Sequence, residues 1–166
     1  MSKQKKKICF ITGTRAEYGL LKCLIKEVGK SSALSLQLVV TGSHLSKIHG
    51  YTKAEIIKDG FFIDSEVEID LNEDSNMGTC LSISKLISKI SETFNRISPD
   101  LIVLLGDRYE LLGAASAAMI HRIPIAHIHG GETTEGAFDE GIRHAITKLS
   151  HIHFVATDRY RKRVIQ

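Results

Sequence analysis

Residues 126–145, AHIHGGETTEGAFDEGIRHA, bring imidazoles, carboxylates, an arginine and two adjacent glycines into twenty positions. His127 and His129 stand two apart in a strand-like run, a spacing that places both on one face. His151 and His153 repeat it, and six of the eight histidines fall between 121 and 153. That density suits a metal, with Asp107 or Glu132 as an oxygen ligand. No H-E-x-x-H or Cys/His pattern accompanies it, and one histidine of each pair can simply be packed, so we assign no metal. His129, Glu132, Asp139 and Glu140 become candidates for proton transfer. Gly130–Gly131 is expected to let the backbone approach a ligand closely. Asp139 and Glu140 could instead cap the following helix and complement its dipole, with Arg143 and His144 one turn on.

Similar residues follow other strand-like runs: Gly13–Thr14–Arg15–Ala16–Glu17, Thr41–Gly42–Ser43–His44, Gly106–Asp107–Arg108–Tyr109–Glu110 and Thr157–Asp158. "GTRAEYG" matches neither G-x-G-x-x-G nor G-x-x-x-x-G-K-[ST], which disfavours a nicotinamide dinucleotide and P-loop chemistry. The loop still opens a helix, whose backbone N–H groups suit an anion, and Arg15 offers a fork for phosphate. The competing reading is that Gly13 only turns the chain and Arg15 lies in solvent. Asp107 could act as a general acid or base, although spacing alone favours it as the N-cap of the next helix. Arg108 and Glu110 read as surface or ion-pairing residues.

The elements that must position these loops alternate along the chain. Strand-like runs cover 7–13, 34–42, 64–70, 100–107, 123–131 and 151–158, with 64–70 read as an edge strand. Helical patterns cover 17–28, 52–60, 78–97, 109–121 and 139–149, and a further helix begins at 159. Leu21, Leu24, Ile25 and Val28 fall on one helical face, as do Ile83, Ile87, Ile90, Phe94 and Ile97. Pro99 ends the latter helix. The strands are apolar runs, as when helices cover both sheet faces. The fold class is α/β, a doubly wound, mostly parallel, Rossmann-like sheet, and its ligand site is expected outside the carboxyl ends of the strands.

The 166 residues form one domain, with 43% hydrophobic and 25% charged content suited to a packed core. A net charge of +3 is too small to indicate nucleic acid, and the basic clusters at 2–7 and 159–163 read as a solvated tail and a polar helix face. Cys9, Cys23 and Cys80 are scattered, which fits a reducing cytoplasm rather than a disulfide framework. No apolar stretch approaches the ~20 residues of a membrane span. The helices at 78–97 and 109–121 could each face a second copy in a homo-oligomer, and serve equally as core helices. Residues 159–166 resemble a helix cut short, which suggests the N-terminal part of a longer protein.

Together, "TGTRAEYGLL", "VVTGSHLS", "LLGDRYELL", "IPIAHIHGGE", "FDEGIRHAITK" and "YRKRVIQ" resemble the hydrolysing UDP-N-acetylglucosamine 2-epimerases of bacterial sialic-acid synthesis. The likeness covers almost the whole chain but only about the first half of a family member, the N-terminal Rossmann-like domain of a two-domain, GT-B-type enzyme. It implies cleavage of UDP-N-acetylglucosamine with water to N-acetylmannosamine and UDP, by elimination to a glycal and then hydration. That chemistry requires no cofactor. It implies catalytic roles for Asp107, for His129 or Glu132, and for Asp139 or Glu140. It places Arg15 toward the diphosphate, with Gly13, Thr14, Gly42, Ser43, Arg108, Gly130, Gly131 and Arg143 near substrate. His129 stands where wider relatives carry a glutamate, and Leu20 where non-hydrolysing relatives carry a lysine. Most nucleotide contacts in the family come from the absent C-terminal domain, so 1–166 is expected to turn over little alone. Two other readings remain: a metal-dependent hydrolase using the paired histidines, and a non-catalytic nucleotide-sugar-binding domain.

Overall fold

The computed structural model describes residues 4–71, 75–133 and 138–165. Six strands, β1 (Lys6–Thr12), β2 (Leu34–Thr41), β3 (Ser65–Val67), β4 (Leu101–Leu105), β5 (Ile125–Ile128) and β6 (Ile152–Phe154), alternate with helices. The helices are α1 (Arg15–Lys30), α2 (Lys53–Lys58), α3 (Asn76–Ile97), α4 (Tyr109–Ile120), α5 (Asp139–Leu149) and α6 (Asp158–Ile165), with one 3₁₀ turn at Gly42–His44. All pairings are parallel, in the order β3-β2-β1-β4-β5-β6. Strand order therefore reverses between β1 and β4, where Ile8 pairs with Leu101 and Phe10 with Val103. A crevice for a ligand opens at such a reversal.

Strand alternation feeds two cores. Cys9, Ile11, Val39, Ile102, Leu104 and Ile125 share a core with Leu86, Ile90, Phe94, Ala114 and Ile146 from α3, α4 and α5. Phe10, Leu38, Val40, Val103, Leu105 and Ala126 share the other with Tyr18, Leu21, Ile25 and Val28 of α1 and Ile56 of α2. Burying both faces is why the strands read as continuous apolar runs. Helices α3 and α4 pack closely, since a Cβ on Gly113 would lie 2.9 Å from the Leu86 side chain.

Two periodicity readings need correction. Leu24, expected on the buried face of α1, is 42% exposed. It borders an apolar hollow with Leu20, Leu105, Ile128 and Phe154, while α1 packs chiefly on β1 and β2. In α3 Ile90, Phe94 and Ile97 are buried as expected, but Leu86 is buried too, whereas Ile83 and Ile87 are only half-buried beside α4. Ser98 leaves α3 in the left-handed region at φ 47°, consistent with the bar on helix before Pro99. Strand β3 lies at the sheet edge, as its alternating pattern implies.

Candidate active site

At the carboxyl edge of β1 the backbone turns into α1 through a capping box. Thr14 Oγ1 accepts from Glu17 N at 3.3 Å, and the Glu17 carboxylate accepts from Gly13 N at 2.7 Å and Thr14 N at 3.3 Å. The helix N-terminus expected to bind a phosphate is thus occupied by the chain's own carboxylate. Glu17 is 6% exposed, and burial pushes its carboxyl up to about 7 against the opposing pull of the Gly13 N–H. Gly13 O accepts from Ser43 Oγ at 2.9 Å, so the Ser43 hydroxyl serves the loop. Gly42 has φ +58°, and a Cβ there would lie 2.9 Å from Gly13 O, which makes glycine the residue this turn accepts.

Arg108 faces the same loops from β4. Its Nε and Nη2 donate to the Glu110 carboxylate at 3.1 and 2.9 Å, and Nε lies 4.0 Å from Glu17 Oε1. Glu110 is 1% exposed, so of the two readings the ion-pairing one holds and the surface one does not: Glu110 is a buried carboxylate held by a bidentate arginine. Arg108 lines an open cavity of about 660 Å³ with Thr14, Arg15, Ser43, His49 and Tyr109. Arg15 is largely solvent-exposed and pairs with Glu55 at 3.0 Å, so any role toward a diphosphate requires it to leave that partner.

Asp107 does not cap α4. Arg108 occupies the N-cap, without a side-chain cap hydrogen bond. The Asp107 carboxylate instead accepts from Arg143 Nη2, while Arg143 Nη1 donates to His129 O at 2.9 Å and lies 3.7 Å from Glu132 Oε2. Arg143 is 6% exposed and one turn inside α5, so one rigid fork joins the ends of β4, β5 and the loop after β5. His129 Nδ1 meets the Glu132 carboxylate. A carboxylate oxygen accepts, so Nδ1 holds the hydrogen of this bond. His129 and Glu132, the two alternatives for one role, stand in direct contact. Asp139 and Glu140 both lie in the first turn of α5, where Phe138 is the N-cap and its own side chain makes no cap hydrogen bond. Glu140 contacts His144 at 3.1 Å and Arg163 at 3.2 Å, turned toward α6.

The shared-face expectation for His127 and His129 fails, because β5 ends at Ile128 and His129 turns at φ 64°. His127 points into the core at 0% exposure, whereas His129 is partly exposed at the edge. Among the described residues no three histidine, cysteine, aspartate or glutamate side chains converge as a metal site. The glycine pair, expected to admit a ligand, admits the chain itself. A Cβ on Gly130 would lie 3.0 Å from His127 Nδ1, and one on Gly131, at φ +78°, would lie 2.7 Å from Tyr160 O. Gly131→Ala is accordingly expected to cost roughly 1–3 kcal/mol and to loosen α6, read as a lower urea midpoint with faster amide exchange in 158–165.

Glu17 and Glu110 are the residues that sequence reasoning underweighted. The Thr14-x-x-Glu17 spacing is a capping-box signal, and Glu110 is the lone carboxylate in the otherwise apolar helix "YELLGAASAAMI".

An all-parallel sheet ordered 3-2-1-4-5-6, with a carboxylate–arginine cluster outside its carboxyl edge, is a Rossmann-like domain. The sequence model of the UDP-N-acetylglucosamine 2-epimerase family matches residues 26–166, and the chain belongs to that family. It is 45% identical over 162 residues to the GDP/UDP-N,N'-diacetylbacillosamine 2-epimerase (hydrolyzing) of Campylobacter jejuni, covering 98% of this chain and 42% of the relative. It is 42% identical to the polysialic acid biosynthesis protein P7 of Escherichia coli, covering 97% of this chain and 41% of the relative. A crystal structure of the Neisseria meningitidis UDP-GlcNAc 2-epimerase bound to UDP-GlcNAc superposes with a TM-score of 0.83 at 21% identity, over 96% of this chain and 42% of that one. The chain thus spans about 42% of the length of relatives that it matches nearly end to end.

Proposed function

We propose that this chain is the N-terminal half of a hydrolysing sugar-nucleotide 2-epimerase that converts UDP-N-acetylglucosamine and water to N-acetylmannosamine and UDP. The observation that carries the reading is the Arg143 fork, which holds Asp107 and the His129 backbone beside the Glu132–His129 pair. Acid–base groups gathered around one point suit a reaction that removes and returns a proton at a single carbon. In the first step a base takes the C2 proton, the C1–O bond to UDP breaks and a glycal forms. In the second, an acid returns a proton to C2 from the opposite face and water adds its hydroxyl at C1. Asp107 and His129, backed by Glu132, are the two groups for these transfers, with Asp139 and Glu140 at the rim. Arg108, already fixed by Glu110, offers a cation for the departing diphosphate, and Arg15 a second.

A related substrate has its own support, because the 45% identical relative is named for a diacetylbacillosamine nucleotide, whereas a 38% identical relative from Neisseria meningitidis is named a UDP-N-acetylglucosamine 2-epimerase. Product analysis by NMR in deuterated water separates the two. The 166-residue chain and a version extended by the C-terminal part that relatives carry are each given either sugar nucleotide. N-acetylmannosamine deuterated at C2, with UDP, is expected from the extended protein alone. Turnover by 1–166 at the extended protein's rate overturns the need for a second half. No reaction from either protein with either substrate overturns the epimerase reading.

A further inference from the structure

Asp107 follows Gly106, whose φ of +90° lies in a region where glycine has unusual freedom. A catalytic carboxylate on so loose a hinge needs its backbone fixed. Gly106 N donates to Ile128 O at 3.0 Å. Gly106 O meets His127 Nε2 at 2.7 Å, and His127 Nδ1 meets Thr147 Oγ1 at 3.2 Å. A carbonyl only accepts, so Nε2 carries the hydrogen. Burial holds the ring neutral, with its pKa lowered to about 4, so Nδ1 is an acceptor and the Thr147 hydroxyl is its donor. The order of donation is fixed from Thr147 to His127 to Gly106.

Thr147 and Arg143 are four apart on α5 and therefore neighbours on its surface. The same helix grips Asp107 twice, once at the carboxylate through Arg143 and once at the preceding carbonyl through Thr147 and His127. Space is reserved for this chain of bonds, since a Cβ on Gly130 would stand 3.0 Å from His127 Nδ1 and 3.1 Å from Thr147 Oγ1. We infer that His127 and Thr147 are positioning residues that set the aim of Asp107 by fixing the Gly106 carbonyl. The inference rests on the catalytic role proposed for Asp107.

Two measurements test it. The first uses NMR on the 166-residue chain. His127 is expected as the Nε2–H tautomer, with a slowly exchanging ring proton. Thr147→Val, nearly the same shape, is expected to shift the Gly106 and Asp107 amide signals while distant ones stay put. A His127 ring protonated at Nδ1, or unmoved Gly106 and Asp107 signals in Thr147→Val, overturns the inference whatever the protein catalyses. The second uses the extended, active protein. His127→Leu is expected to lower kcat about 100-fold, the scale of a 1 Å misplacement, with KM within about twofold. His127→Gln, whose amide can still donate to Gly106 O, is expected to recover much of the loss. Equal loss in both folded variants, or a loss confined to KM, overturns the positioning role. If the parent protein is inactive, the epimerase reading fails while the NMR result still decides whether this bond chain fixes the turn.

Discussion

Replacing Arg143 with methionine is expected to lower the thermal midpoint of the chain by roughly 10 °C. The guanidinium is 6% exposed and holds the Asp107 carboxylate and the His129 carbonyl, with Glu132 3.7 Å away. Methionine fills similar volume but leaves carboxylates and a carbonyl facing a thioether. Removing one partner of a buried ion pair costs about 3–5 kcal/mol, and in a domain of this size each kcal/mol moves the midpoint by about 2–4 °C. Arg143→Lys keeps the charge without the planar fork, so it is expected to fall between parent and methionine variant. Calorimetry at neutral pH reads both. A methionine variant within about 2 °C of the parent, less than one kcal/mol, would mean that desolvation cancels the attraction and that the fork serves geometry alone.

Stability is expected to peak near pH 6.5 and to fall as the solution is acidified. His44 and His127 are fully buried, and burial lowers each from 6.5 to about 4. A depressed histidine pKa gives stability that is complete above 6.5 and is lost as pH falls toward 4. At ~1.36 kcal/mol per pH unit each imidazole accounts for about 3 kcal/mol. Glu17 acts with the opposite sign. Its carboxyl moves from 4.5 up to about 7, so its contribution is complete below 4.5 and is lost as pH rises through 7. Two histidines outweigh one glutamate between 4.5 and 6.5, leaving a net loss of about 3 kcal/mol on acidification. Glu17→Gln removes the opposing group and is expected to roughly double that loss, while flattening the slope above 6.5. Urea midpoints at pH 4.5, 5.5, 6.5 and 7.5 read both slopes. A parent curve that rises toward acid would show that the imidazoles are not held neutral.

Much of this frame was legible in the residues. "LIVLL", short and bounded by proline, aspartate and glycine, reads as a strand buried on both faces, and the four-three spacing of Ile83 to Ile97 marks α3 as a helix. Its buried face was legible at Ile90, Phe94 and Ile97 and less so nearer its start, where Leu86 is buried while Ile83 and Ile87 lie half-buried. Leu24 fits the apolar periodicity of α1, yet which strands lie beneath a helix is a tertiary fact. The site divides in the same way. That Asp107, His129 and Glu132 gather at one sheet edge follows from the alternation of strand and loop. That Arg143 joins them does not, since thirty-six positions separate it from Asp107. The left-handed turn at His129 breaks the period-two rule that would have paired it with His127. Burial of Glu17 and Glu110 was less legible: a carboxylate enters a core only when its partners come with it, and although Arg108 stands two residues before Glu110, its approach to Glu17 spans the two loops after β1 and β4.

The strand order has a consequence for synthesis. Of the six strands β1 is made before its neighbours, β2 soon after it and β4 much later, with Lys7 and Asp100 bonded across 93 steps of sequence. At about 5–20 residues per second the ribosome takes roughly 5–20 s to supply that second partner. Until then one of the two central strands lacks the partner that its edge at Ile8, Cys9 and Phe10 takes in the fold. Late closure of non-local parallel pairs is intrinsically slow, which makes the nascent β1–β2 unit the point where chaperone capture or mispairing with another nascent chain would occur.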